Sequence, residues 1–271
     1  MFYRVSPKAV SDRERSLAAV ALTPSESKRL LGKAMASLPE VQMAYRNGRL
    51  LISNGTTNAF VAEELIGSTI PKFSYAMGVI TDGLLSMTDQ TRKLPPLMLH
   101  KGQPQTTDIR DFLKAMGKGD VIIKGANAVD PQGNVGVLLA GETGGTIGAI
   151  LGISSARGLP LLMPVGLEKL VPSVPDVAQG WGQLDLQYST GLRIGYMPVV
   201  NCEAITEIQA LAILAGVKAT HIASGGSGGS EGAVVLLLEG DEETIGKAIE
   251  VVTSVKGEPQ VPREPHFLSG N

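Results

Sequence analysis

The chain has 271 residues, 43% of them hydrophobic and 18% charged, which supplies apolar material for one large core or for one domain plus a smaller one. Net charge is -2 and the isoelectric point about 6.0, so no basic field exists to hold nucleic acid or anionic lipid, and small molecules or protein partners are the expected ligands. The single cysteine, Cys202, excludes an internal disulfide and a cysteine-built metal cluster, which fits a reducing compartment and a cytoplasmic location.

Residues 1–10 carry Arg4 and Lys8 without a continuous apolar run, and no export signal is read there. The most apolar stretch, 135–153, is interrupted by Gly136, Gly141, Glu142, Gly144, Gly145 and Gly148. It reads as a strand, a loop and a helix start, not as a membrane span.

In chain order, residues 25–38 show helical spacing that Pro39 ends. Residues 49–53 form a short apolar run, the polar turn 54–57 follows, and Ala59, Phe60, Val61 and Leu65 continue as a helix. Strands are expected within 72–80 and at Leu97–His100, and a helix from the capping Asp108 to about Met116. Residues 120–124 read as a buried strand and Val135–Leu139 as another. A helix then runs from about Thr143 to Thr146 up to Gly158, and a strand covers 161–163. The proline- and glycine-rich stretch 172–183 holds Trp181, whose simplest role is packing.

This alternation predicts an α/β fold, a mostly parallel sheet flanked by helices over residues 1–194. From Gly195 the expected order is a strand (196–200), a helix (203–214), two strands (219–223 and 233–238) and a helix (241–255), a smaller C-terminal α+β module of ferredoxin-like type over 195–271. The tail after Gly257, with Pro259, Pro262 and Pro265, is expected to wrap the surface or lack order.

Three constellations carry candidate chemistry. In the first, Asn54, Gly55, Thr56 and Thr57 join a strand end to a helix start, which suits an anion, although Thr56 and Thr57 also serve as plain helix caps. In the second, Lys124 closes an apolar strand and must reach water, a carboxylate or a ligand phosphate, and Asn127 and Asp130 follow it. Asp130 is either catalytic or the first residue of an Asp-Pro-x-Gly type I turn. In the third, Glu142, Thr143, Gly144, Gly145 and Thr146 open a helix, with Glu142 either a dipole-facing carboxylate or a nucleophile or base.

The strand-Gly-Thr-Thr-helix unit resembles the phosphate loop of ribose-phosphate isomerases and sugar-sensing repressor domains. The segment 124–130 is similar to the Gly-Ala-Asp strand end of relatives that include methylthioribose-phosphate isomerase, except that Asn127 stands where those isomerases carry an acid. Glu142, Thr143 and Gly144, with Glu168, Lys169, Leu170, Val171 and Pro172, resemble lactate-utilisation domains, with Gly145 inserted before Thr146. CoA transferases of the same superfamily use a glutamate to form an acyl intermediate, and their longer nucleophile motif is absent from this sequence.

The resemblance to the sugar-phosphate isomerase and CoA-transferase-like superfamily covers residues 49–172. It implies that the chain binds, and in one reading transforms, a small anionic metabolite at the carboxyl edge of a parallel sheet. Lys124, Asp130 and Glu142 would then be catalytic. Asn54, Gly55, Thr56, Thr57, Asn127, Thr143, Gly144, Gly145 and Thr146 would bind ligand. Because an amide cannot act as a general base, Asn127 argues against classical aldose-ketose isomerisation and fits a sensor that lost the catalytic acid. The alternatives are a non-catalytic regulatory protein or an assembly subunit, since the C-terminal layout is similar to bacterial microcompartment shell modules.

No cofactor or metal is expected: His100, His221 and His266 lack ligand spacing, and the glycines of 141–148 miss the dinucleotide fingerprint. Gly225, Ser227 and Gly229 spell Gly-x-Ser-x-Gly before a strand, so no nucleophile elbow is read. The loop 225–232 reads as a plain connection. A homo-oligomer is expected from the sheet edge of the C-terminal module.

Overall fold

The computed structural model describes residues 1–263 and the backbone of 266–267; the remainder of the proline-containing tail lies outside the described residues. The chain opens with β1 (Ser16–Leu22), α1 (Pro24–Ser37) and α2 (Pro39–Asn47). Thr23 starts α1 through a capping box, its hydroxyl accepting from the Glu26 amide while the Glu26 carboxylate accepts from the Thr23 amide. Pro39 has no N–H to donate, so it ends α1 and fits the first turn of α2.

Next come β2 (Arg49–Ile52), α3 (Thr56–Ile66), β3 (Gly78–Thr81), β4 (Leu84–Thr88), β5 (Leu97–His100), β6 (Gln103–Pro104), α4 (Ile109–Ala115) and β7 (Val121–Ile123). They are followed by β8 (Ala128–Val129), β9 (Val135–Leu139), α5 (Gly145–Arg157), β10 (Leu161–Pro164) and α6 (Val174–Val177). The last part holds β11 (Gly195–Val199), β12 (Glu203–Ile205), α7 (Glu207–Ala215), β13 (Lys218–Gly225), β14 (Ala233–Gly240), α8 (Glu242–Thr253) and β15 (His266–Phe267).

The main sheet is mixed, in the order β12-β10-β7-β2-β5-β6. Its first four strands run parallel, and β5 and β6 add an antiparallel edge. The period of two along each strand assigns side chains to two separate cores. Leu50, Ile52, Val121, Ile123, Leu162 and Ile205 face α1, α2, α3 and α7. Leu51, Ile122, Leu161, Met163 and Ala204 face α4, α5 and β9. Burial on both faces explains the continuous apolar runs in these strands, and each such Leu or Ile contributes about 1.5–3 kcal/mol.

A second sheet, β1-β14-β13, is antiparallel and packs with α7 and α8. Its strand β1 was not read from the sequence; half-buried Ser16, Ala18 and Val20 alternate with exposed Leu17, Ala19 and Ala21, so residue type does not follow the alternation, and the stronger local signal is the cap at Thr23. The expected helix over 203–214 is corrected: 203–205 form β12 beside β10. Ala204 and Ile205 drop into opposite cores there, and the helix waits for Thr206, whose capping box with Gln209 opens α7. The expected strand at 196–200 pairs antiparallel with β9 instead of joining the C-terminal hairpin. Strand pairings therefore cross residue 194 in both directions. Trp181 packs, its Nε1 donating to the Val177 carbonyl at 2.6 Å and its ring tilted 48° against Tyr196.

Candidate functional site

Parallel strands deliver their carboxyl ends to one edge, and the segments leaving β2, β7 and β10 meet there. A cavity of about 270 Å³ opens at that edge. Asn54, Gly55, Thr56, Thr57, Lys124, Asn127, Gly144, Gly145 and Thr146 all line it. Three separate sequence segments thus contribute to one site.

The β2 exit turns at Gly55, whose φ of 155° a side chain would oppose. No side chain caps α3 behind it, so the first-turn amides lack intrahelical partners and point positive charge at the cavity. Asn54 braces this turn, its Nδ2 donating to the carbonyls of Tyr75 and Leu94 at 3.1 and 2.9 Å. Asn58, fully buried, donates to the Ser53 carbonyl at 2.8 Å, and its Oδ1 has no partner among the described residues. Across the cavity, Gly144 takes a left-handed φ of 76° and α5 also starts without a side-chain cap.

The β7 exit carries Lys124, whose Nζ donates to the Gly125 carbonyl at 3.1 Å. Burial, with the neighbouring charge of Lys169, lowers its pKa to about 8. Lys169 reaches the same cavity from the segment after β10, its Nζ donating to the Ala126 carbonyl at 3.1 Å and standing 3.9 Å from Glu168 Oε1. The sequence reading did not place Lys169 in the site, although the Glu-Lys pair of residues 168–169 was the signal that could have done so. Asn127 commits its Oδ1 to the Leu138 amide at 3.0 Å and keeps its NH₂ as a donor.

Three expected members stand apart. Glu142 and Thr143 are exposed in the turn that Gly144 closes by donating to the Gly141 carbonyl, and neither lines the cavity. Asp130 is fully buried away from it. Its carboxylate accepts from the amides of Gln132, Asn134 and Val174 and from Asn134 Nδ2 at 2.9–3.1 Å. Burial would raise its pKa, but these donors outweigh burial and hold it below the usual carboxylate range. Such a carboxylate organises the β8–β9 turn.

Apolar residues complete the cavity: Met77, Val79, Leu85 and Met87 from the β3–β4 hairpin, with Val137 and Ile147 opposite. Chemically, the site combines two ammonium groups, hydroxyls and open helix amides with an apolar wall. It suits a small anion with an uncharged body. Behind Lys169 lies a carboxylate pair, buried Glu207 and partly buried Glu168. Glu207 is fully buried with Oε2 accepting from the Leu167 amide at 2.9 Å, and burial with the charge of Glu168 raises its pKa to about 7. Lys28 stands 3.8 Å from Glu168.

Among the described residues no group of three or more His, Cys, Asp or Glu is placed to hold a metal ion, and no helix is long and apolar enough to cross a membrane.

No protein-family model matches the sequence. Among curated proteins the chain is similar to 6-phosphogluconate dehydrogenase, decarboxylating 2, of Saccharomyces cerevisiae, at 30% identity over 166 residues. That similarity covers 55% of this chain and 32% of the yeast protein, so the chain spans about a third of the length of this curated relative.

Proposed function

We propose that the chain binds a small anionic metabolite, phosphorylated, carboxylated or CoA-linked, at the carboxyl edge of its main sheet. The observation that carries this reading is the convergence of Lys124 and Lys169 on one cavity. Ammonium groups and open helix amides together favour phosphate or carboxylate. The cavity volume, about 270 Å³, lies at the lower end of small-molecule sites. It favours a compound of sugar-phosphate size, and of a CoA ester it would take the acyl end alone.

The name of the yeast relative contains a phosphorylated, carboxylated compound, which supports the same ligand class. The parallel β12-β10-β7-β2 strands with their loops at one edge support the likeness to the isomerase and CoA-transferase-like superfamily over residues 49–172. The C-terminal hairpin with β1 and two helices supports a looser α+β description of the second layer. Self-association belongs to this reading because β13 is a sheet edge; sedimentation at micromolar concentration tests it.

The direct test is an NMR titration of the protein with inorganic phosphate, pyruvate and 6-phosphogluconate. Shifts confined to the amides of residues 54–58, 124–127 and 144–147 are expected. Uniformly absent shifts at millimolar ligand would remove the proposal.

A further inference from the structure

The two amines of the cavity are not equivalent. Lys169 has Glu168 Oε1 at 3.9 Å. Among the described residues Lys124 has one hydrogen bond, to the Gly125 carbonyl, and no carboxylate acts on it. Its amine therefore lines a cavity with the charge of Lys169 acting on it and apolar side chains of the β3–β4 hairpin lining the same space. Desolvation and a neighbouring cation are the two conditions that turn a lysine from a solvated charge into a nucleophile.

Resting on the anion-site reading above, we propose that Lys124 is a nucleophile that forms an imine with a small anionic aldehyde or ketone. The open amides at the start of α3, with Thr56 and Thr57, hold the anionic end, which leaves the carbonyl carbon to the lysine. The nitrogen lone pair of neutral Lys124 attacks that carbon, and the C=O π electrons move to oxygen. In two transfers, the two protons lost by the nitrogen pass to this oxygen, which leaves as water as the C=N bond forms. Lys169 relays each proton, giving one up and regaining one, so its charge is unchanged at the end. Nothing is oxidised or reduced. A pKa near 8 supplies free amine at mildly alkaline pH, where an ordinary lysine at about 10.4 supplies almost none.

The test uses the full chain with sodium borohydride and either pyruvate or glycolaldehyde phosphate, read by intact mass and peptide mapping. One reduced adduct per chain on Lys124 is expected, slowed at least tenfold by excess inorganic phosphate or by Lys169→Met. Lys124→Arg keeps the positive charge, so it should abolish the adduct while retaining phosphate shifts by NMR; if the arginine variant does not fold, Lys124→Met should abolish the adduct and weaken the phosphate shifts without removing them. Adducts scattered over surface lysines, or equal in Lys124→Arg and wild type, would overturn imine formation. If phosphate shifts persist in that case, the anion site stands without it; if they are also missing from the wild type, both readings fall.

Discussion

Lys124 and Lys169 donate to consecutive carbonyls, those of Gly125 and Ala126, each at 3.1 Å. One loop thus seats two amines that arrive from neighbouring parallel strands, β7 and β10. The arrangement brings like charges together, and the lowered pKa of Lys124 registers the tension, with burial as its larger cause. A bound anion relieves both contributions. Binding is therefore expected to be tightest where both lysines are charged and to weaken as pH rises through about 8.

Removing either charge should weaken phosphate binding by about tenfold, or ~1.4 kcal/mol, within the range of a charge-assisted hydrogen bond. Lys169→Met should also return Lys124 toward the ordinary lysine range, because a repelling neighbour has gone. Competitive acylation of Lys124 against pH measures this. An unchanged titration midpoint in Lys169→Met would disprove the coupling.

Much of this cavity's lining was legible in the sequence. The bounds of β5 and β9 follow directly from short apolar runs between turns, and the strand-Gly-Thr-Thr-helix and Lys-Gly-Ala-Asn segments both end parallel strands. Strand ends share an edge by topology, so their convergence could be argued from order alone. What could not be read was direction within a turn. Glu142 lies only two residues before Gly144, yet the left-handed glycine swings the lining to Gly141 and Gly144–Thr146 and leaves the carboxylate in solvent. Likewise β1 lies far in sequence from its partner β14, and local pattern holds no trace of that pairing. Glu142→Gln accordingly should change phosphate affinity less than twofold in the same NMR titration. A loss comparable to that of Lys169→Met would return Glu142 to the site.

Asp130 makes a stability prediction in place of a catalytic one. Asp130→Ala strands the amides of Gln132, Asn134 and Val174, a cost of roughly 2–4 kcal/mol. Because its folded pKa lies below the unfolded value near 3.9, the carboxylate's contribution is complete above pH 4 and lost as pH falls through the folded pKa. Urea unfolding of wild type and Asp130→Ala should therefore differ most at neutral pH and converge in acid. Equal stabilities at pH 7 would contradict the assignment.

Glu207 carries the opposite sign. Its pKa is raised to about 7, by burial first and by the charge of Glu168 second. Below about pH 4.5 the folded and unfolded chains both hold this proton, and no stability difference arises. Between pH 4.5 and 7 the folded chain keeps a proton that the unfolded chain has released, so stability falls with rising pH and levels off above 7. Glu207→Gln imitates the protonated form. Its carbonyl can keep the bond from the Leu167 amide, and its NH₂ is a donor in a region where Glu168 Oε2 is buried without a partner. The variant should match wild type near pH 4.5 and exceed it by roughly 1–3 kcal/mol at pH 8. Urea midpoints at pH 5, 7 and 8.5 decide the matter. A wild-type midpoint that holds level across this range would show that Glu207 is ionised throughout, with its charge met by a partner such as Lys28.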